Sequence, residues 1–355
     1  MKVVLFRAFP DSFRKSMQIY ADQLLKRIRP LLQTEEQLED WLPSRLRLNG
    51  NFRYWDQYVR YQWLSRSVQG DVNHVIDHGY GHLLHSLCKQ KSIVTFHDSV
   101  VNKLDEISWR TRFSVRYSFL ALRKAARIIT DSKNSRMDFL NLVDFPEERV
   151  HVIYPGVDSA FRILPDRMEL RKRYGLPSSF VLHVGNNLPY MNVDGVLIML
   201  QHLVQKGFDV SLVRVGESLT KRQETFLNKT NLRSKVLQLG AIPLEDLVAT
   251  YNCAELLIYP ALYAGFGLPP LEAMACGTPV ICSNRGSLPE ITDGAALMVD
   301  PEDHSKMVDI TAELLTDRDL QEACRTKGLK QSKLYSWDRT AAEVLSVYRS
   351  VYQEN

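Results

Sequence analysis

The chain reads as α/β, built on parallel sheets in two domains, and three observations predict it. Short apolar runs alternate with helical segments up to about residue 160; the alternation restarts at Phe180; and Tyr259 to Pro301 spells out strand, glycine loop, helix and strand in succession. Strands that alternate with helices predict parallel sheet, because parallel neighbours need a crossover connection and a helix usually supplies it. With 355 residues, 45% of them hydrophobic, the chain is long enough for two cores of ordinary size.

In the first half, Val3 to Phe6 predicts the opening strand and a helix follows near Arg14 to Arg29. Val72 to Ile76, Ile93 to Phe96, Arg127 to Thr130 and His151 to Ile153 predict the remaining strands, with a basic helix from Arg110 to Arg127 between the second and third of these. In the second half, strands at Val181 to Val184, Val210 to Val215, Val236 to Leu239 and Leu256 to Tyr259 alternate with helices at Val193 to Gln205 and Leu244 to Asn252. The pattern lapses near Phe161 to Tyr174, where Pro165 and charged residues intervene, so domains are expected at 1–161 and 162–335, followed by a closing helix within 336–355.

The densest chemistry lies in YPALYAGFGLPPLEAMACGTPVICSNRGSLPEITDGAALMVDP. Gly265 and Gly267 let the backbone approach a ligand closely, and Pro269 and Pro270 suit the opening of a helix. The amides of Phe266, Gly267, Leu268 and Leu271, together with the helix dipole, favour an anion such as a diphosphate. Glu272, placed in the first turn, can accept hydrogen bonds from two vicinal hydroxyls such as those of a ribose; the plainer reading is that it complements the dipole.

Composition narrows the field. The net charge of +4 is mild and no aromatic-interleaved basic patch stands out, so no nucleic-acid partner is expected. Five cysteines without a CxxC pair argue for a reducing, cytoplasmic setting and against a metal framework. The N-terminal apolar run is too short for a signal peptide, and the longest uncharged stretch is broken by Pro and Gly, so no membrane span is expected. The basic helix has two readings: a peripheral contact with an anionic membrane, or a solvated face with its apolar side on the core.

The Tyr259 to Pro301 segment resembles the retaining glycosyltransferases of family four (group 1), which have the GT-B fold. The likeness extends to Val181 to Asn186, Leu239-Gly240-Ala241-Ile242-Pro243, Thr95-Phe96-His97-Asp98, Thr130-Asp131-Ser132 and Ile153 to Asp158, and so spans most of the chain. It implies GT-B architecture: two Rossmann-like domains facing across a cleft, the first for acceptor, the second for a nucleotide-sugar donor, with the last helix crossing back to the first. It further implies transfer of a sugar, a hexose above all, from a nucleoside diphosphate to a glycan, lipid-linked or small-molecule acceptor. Configuration would be retained without metal, other cofactor or enzymic nucleophile, the departing phosphate taking the acceptor's proton. The Arg-, Trp- and Tyr-rich stretch from Glu35 to Asn73 would shape the acceptor surface.

Residue by residue, the resemblance makes His97 and Glu272 catalytic candidates and places the donor on Asn186, Ile242, Ala264, Gly265, Phe266, Gly267, Leu268 and Glu272. His97 ends a strand, where a neutral imidazole can reach a sugar hydroxyl; the alternative is a histidine packed beside the next helix cap. Glu290 matches a family position or is a surface residue, and His78, His82 and His85 fit a loop lining better than a metal site.

Three departures bear on activity. The family carries two glutamates eight positions apart; Glu272 matches the second, but Ala264 occupies the first. The family's Arg and Lys after the first strand of the donor domain are missing from Asn186 to Asn192, and no glycine occurs before Gly50. Arg14, Lys15 and Arg214 are the candidates to supply the lost charge; a structural ion pair is the other reading of Arg214. The second reading of the whole chain is a catalytically degenerate GT-B protein that binds nucleotide or glycan, or serves as a partner subunit.

Overall fold

The computed structural model describes residues 1–9, 15–42, 55–100 and 109–354. They form two compact units, one of Met1–Gly156 with Ser336–Asn355, the other of Val157–Tyr335.

The first unit is built on six strands, β1 Lys2–Phe6, β2 Gln37–Trp41, β3 Val72–Val75, β4 Ser92–Phe96, β5 Arg127–Thr130 and β6 Val150–Val152. They lie in the order β2-β1-β3-β4-β5-β6, every neighbouring pair parallel. A continuous apolar run suits a strand covered on both faces. In β1, Val3 and Leu5 join one core while Val4 and Phe6 join the other, as the two-residue side-chain period requires. The helix Trp337–Gln353 belongs to this unit: Trp337, Val344, Leu345, Tyr348 and Val351 pack with Leu24 and Ile28 of the helix Lys15–Ile28. Strand β2 had no apolar signature, since only Leu38 of QLEDW turns inward; as an edge strand it owes its form to pairing with β1.

The second unit repeats the plan with β7 Phe180–Gly185, β8 Ser211–Gly216, β9 Val236–Gly240, β10 Leu256–Tyr259, β11 Val280–Ser283 and β12 Leu297–Val299. The order β12-β11-β10-β7-β8-β9 is again wholly parallel. The chain winds outward from β7 to β9, then returns to lay β10 on the other side of β7. That reversal is a topological switch point, where the loops after β7 and β10 diverge and leave a crevice at the carboxyl ends of the strands.

Residues 157–161, expected in the first domain, belong to the second unit. The Val157 N–H donates to the Tyr335 carbonyl at 3.0 Å, and the Phe161 ring meets Tyr251 edge-on at 5.8 Å.

The basic helix is Trp109–Leu122, and its apolar residues do not all face the core: Ser118, Ala121 and Leu122 are buried, whereas Trp109, Phe113 and Leu120 are exposed. The reading of a helix with a wholly core-facing apolar side is therefore corrected. Among the described residues no helix is long and apolar enough to cross a membrane.

Candidate functional site

Of the expected donor residues, Ala264 to Leu268 and Glu272 come together at the switch point of the second unit, while Ile242, Asn186 and Arg214 are placed otherwise. The loop after β10 runs through Ala261, Tyr263, Ala264 and Phe266, all buried, into the helix Leu268–Ala275. Gly267 caps that helix with φ of +107°, and a Cβ there would come within 2.7 Å of Leu288 Cδ2, so only glycine fits. Pro269 and Pro270 have no N–H, which leaves the amides of Gly267 and Leu268 at the helix start; among the described residues neither donates to a protein group. Two uncommitted amides at the positive end of a helix dipole favour an anion.

The loop is held from behind by Ser287. Its N–H donates to the Ala264 carbonyl at 3.1 Å, and its hydroxyl reaches the carbonyls of Ala264 at 3.0 Å and Phe266 at 2.5 Å. Gly286, at φ of +62°, permits this approach: a Cβ would stand 2.6 Å from the Ala264 oxygen. Across the switch point, the Leu262 N–H donates to the Tyr190 carbonyl at 2.7 Å, joining the loops after β10 and β7.

Glu272 is the fifth residue of its helix, one turn further in than the sequence suggested, so complementing the dipole is not its role. It is partly buried, and its Oε2 accepts a hydrogen bond from the Tyr251 hydroxyl at 2.8 Å. Burial pushes the carboxyl up to about 7; the Tyr251 hydrogen bond works against this and the Asp158 carboxylate adds to it. Tyr251 comes from the helix Leu244–Cys253, which begins just after Ile242. Ile242 itself lies beyond edge strand β9, and Tyr251 stands about 10 Å further along that helix than its first residue.

The other two residues at these strand ends are placed differently from expectation. Asn186 follows β7, but its amide is spent on the loop: Nδ2 donates to the Tyr190 hydroxyl at 2.7 Å and Oδ1 accepts from the Leu188 N–H at 3.1 Å. Arg214 is fully buried. Its guanidinium donates to the carbonyls of Asn186 at 2.8 Å and Glu217, and to Gln238 Oε1 at 3.2 Å, tying together the carboxyl ends of β7, β8 and β9. Burial lowers it to about 10, partly offset by Glu217. Neither expected role holds: Arg214 is not presented to a phosphate, and it binds carbonyls where a carboxylate was the alternative. Its neighbour across the strands, His183, is buried and pushed down to about 3 by burial and by Arg214. Arg14 lies outside the described residues, as does the side chain of Lys15.

In the first unit, His97 follows β4 but does not offer its ring to a ligand. Nδ1 donates to Asp131 Oδ2 at 2.6 Å, Nε2 donates to the Ile76 carbonyl at 2.8 Å, and the residue is buried. Burial opposes charge on the ring, yet Asp131 outweighs it and lifts His97 to about 9. A ring that donates from both nitrogens is an imidazolium. The expectation of a neutral imidazole reaching a sugar hydroxyl is thus corrected, because both its nitrogens are committed.

The remaining histidines do not converge. His82 Nε2 bonds the Gln57 carbonyl at 2.8 Å, and His85 stacks on Tyr117 at 4.7 Å. Among the described residues no group of three or more His, Cys, Asp or Glu is placed to hold a metal ion. Glu290 is half-buried beside Tyr335, whose ring meets Phe266 at 5.8 Å. Sequence reasoning missed Tyr251, Ser287 and the role of Asp131; the quoted stretches RGSLPE and TDS held two of them, and nothing marked Tyr251.

A doubly wound parallel sheet with a glycine-capped helix and a buried carboxyl at its switch point defines the class as an α/β protein with the crevice in which such folds take ligands. Residues 166–331 match the family model of glycosyl transferases group 1 and residues 29–161 that of glycosyltransferase family 4, together spanning most of the chain. The chain belongs to this family of glycosyltransferases, with GT-B architecture. It is 29% identical over 299 residues to the O-antigen chain mannosyltransferase B of Escherichia coli, covering 82% of this chain and 77% of that protein. The serotype-specific mannosyltransferase WbdA of Escherichia coli is longer: 28% identity extends over 65% of this chain but 30% of that protein. Among solved structures, sucrose-phosphate synthase from Thermosynechococcus elongatus superposes with a TM-score of 0.83 at 19% identity, covering 100% of both chains. Anabaena HepE in complex with UDP and glucose gives 0.80 at 16% identity, over 99% of this chain and 100% of that one. At such identities these two speak for the fold.

Proposed function

We propose that the chain transfers a sugar from a nucleoside diphosphate sugar to a glycan, lipid-linked or small-molecule acceptor, with retention of configuration and without a metal ion or other cofactor. The observation that carries this reading is the conjunction, at one switch point, of two uncommitted amides at Gly267 and Leu268 with Glu272 held by Tyr251. The amides would take diphosphate oxygens, and Glu272 would accept hydrogen bonds from the vicinal ribose hydroxyls. The Tyr251 hydroxyl fixes one carboxylate oxygen, so the orientation is set before the ligand arrives. The acceptor oxygen would attack on the face the diphosphate leaves and pass its proton to the departing phosphate. No enzymic nucleophile is needed, so Ala264 is compatible with turnover, while one hydrogen bond to the donor sugar is forgone. The mannosyltransferase relatives make a mannosyl donor the first to try, and the HepE complex makes UDP-glucose the second.

A second reading, binding without turnover, is favoured by Ala264 together with Arg214, whose charge is committed to carbonyls. A thermal-shift screen against UDP, GDP, ADP and TDP comes first: a diphosphate at a hundred times its Kd adds about 2.7 kcal/mol of stability. The matching mannosyl and glucosyl donors are then incubated, with and without a chelator, and released diphosphate is measured for the natural chain and for Ala264→Glu. Release unaffected by chelator supports transfer. Binding without release by either form supports the second reading, and no stabilisation by any diphosphate rejects transfer and leaves of the second reading only glycan binding or a partner-subunit role.

A further inference from the structure

The first unit carries an exposed surface in which large apolar side chains and arginines share one face, and the donor site does not account for it. On the helix Trp109–Leu122, Trp109 is 75% and Phe113 68% exposed, and Leu120 is exposed with them. Arg112 and Arg116 are exposed on the same helix and Arg123 just past its end. Positions 109, 112, 113, 116, 120 and 123 recur at intervals of three and four, so all six project from one side. The helix packs inward on Ser114, Ser118, Ala121 and Leu122, with Phe119 half-buried beside them, yet leaves Trp109 and Phe113 outward, which packing on a core alone would not select.

A second helical stretch, covering Asp56–Arg60 and Tyr61–Ser65, extends this surface. Trp55 and Trp63 are 61% and 67% exposed, with Val59 exposed between them and Arg60 and Arg66 beside them. Both stretches pack on the segment His78–His85. Tyr58 meets His82 at 4.5 Å, His82 faces Tyr117 at 6.4 Å, and Tyr117 stacks on Phe113 at 6.5 Å, so a chain of rings joins one stretch to the other. The carboxylate of these three elements, Asp56, is buried, and none of Arg60, Arg66, Arg112, Arg116 and Arg123 is in an ion pair with a described residue.

We infer that this face is the chain's seat on an anionic lipid bilayer, the aromatic and aliphatic side chains entering the headgroup boundary while the arginines meet lipid phosphates. The charge argues for an anionic partner, since five arginines stand here without an exposed carboxylate among the described residues of these three elements. The aliphatic members argue for lipid over single-stranded nucleic acid: Leu120 and Val59 offer no ring on which a base can stack, whereas they add to insertion at an interface.

The test is sedimentation of the intact protein with vesicles of phosphatidylcholine alone and with an equal part of phosphatidylglycerol, across a salt series. All five tryptophans, Trp41, Trp55, Trp63, Trp109 and Trp337, lie in the first unit, so their emission reports on this surface without contribution from the second. Binding to the anionic vesicles at low salt, weakened by salt and accompanied by a blue shift, is expected. Arg112→Gln/Arg116→Gln/Arg123→Gln lowers the partition coefficient about a hundredfold, and Trp109→Ser/Phe113→Ser reduces the blue shift, leaving the part due to Trp55 and Trp63. These side chains are exposed, and matching circular dichroism melts show that the variants fold; should one not fold, the salt series and blue shift of the natural chain decide. Failure to sediment with anionic vesicles at low salt overturns the inference, as does partition unchanged in the arginine variant. So does retention on heparin without a vesicle-dependent blue shift, which marks a polyanion site, or a dimer broken by Phe113→Ser without vesicle binding, which marks a second copy.

Discussion

His97 and Glu272 each follow a parallel strand of their own unit and each has lost most of its water, but they end in opposite electrostatic states. His97 faces a charged partner, Asp131, at 2.6 Å and spends its second nitrogen on the Ile76 carbonyl, so burial yields a closed imidazolium pair at about 9. Glu272 faces a neutral partner, the Tyr251 hydroxyl, and burial lifts it to about 7. A charged partner compensates desolvation inside the fold and leaves nothing over for a ligand; a neutral one leaves the compensation to be completed from outside. By this contrast the first unit's pair is closed architecture, and the second unit's is the open pair on which the proposed function rests.

The largest expected effect breaks the closed pair. Asp131→Asn removes the charge that keeps the buried ring protonated, and the loss of this pair destabilises the first unit by about 3–5 kcal/mol. Because every tryptophan lies in that unit, urea titration followed by tryptophan emission shows the loss directly. The natural chain adds a pH test. The folded pKa of His97 is raised above 6.5, so its contribution is complete below 6.5 and lost as pH rises through about 9. A stability flat from pH 6 to 10 by tryptophan emission would mean that His97 is not paired as described.

Arg214→Met comes next. The carbonyls of Asn186 and Glu217 lose their donor, and about 2–4 kcal/mol of stability goes with them. The loss belongs to the second unit, so circular dichroism should register it while tryptophan emission does not. Were Arg214 a phosphate ligand, as its place at the end of β8 suggested, the variant would keep its stability and lose nucleotide affinity alone.

What the sequence revealed and what it hid divide along physical lines. Strands covered on both faces are continuous apolar runs, so β1, β4, β7 and β10 were legible, whereas edge strand β2 exists by pairing and left no periodic trace. The loop glycines were legible because only glycine tolerates the conformation at Gly267. Partners distant in the chain were not: Tyr251 and Glu272 are 21 positions apart, and His97 and Asp131 are 34 apart. Arg214 was misplaced for a related reason. Its surroundings depend on the register among β7, β8 and β9, which shifts between Arg214 and Val215, and no local pattern reports a shift between strands.

Glu272→Gln tests the open pair and is expected to act in two directions. The folded carboxyl has its pKa raised above 4.5, so its contribution to stability is complete below about 4.5 and is lost as pH rises through about 7. Well above pH 7 the charged form costs about 3 kcal/mol, which an amide does not incur. The variant should therefore melt higher than the natural chain at pH 8 and no higher at pH 5. Its nucleotide affinity should fall about a hundredfold, as hydrogen bonds from two hydroxyls to a charged acceptor weaken. Lower stability at pH 8, with affinity unchanged, would make Glu272 another structural group like His97.

The smallest effect belongs to an ion pair that water still reaches, and it calibrates the other three. Arg349 of the closing helix donates to Glu36 at 2.7 Å, and this hydrogen bond holds Glu36 down at about 2. The shift is large, but the Arg349 side chain is 37% exposed, so solvent screening discounts it. Arg349→Gln should cost less than about 1 kcal/mol by tryptophan emission in urea. The folded pKa of Glu36 is depressed, so what the pair contributes is present above about 4.5 and lost as pH falls through about 2. The difference between variant and natural chain should therefore vanish in acid, whereas that for Asp131→Asn should narrow in alkali as His97 gives up its proton. Opposite pH signatures, read from one fluorescence signal in one unit, separate a screened carboxylate from a buried imidazolium without reference to the size of either effect.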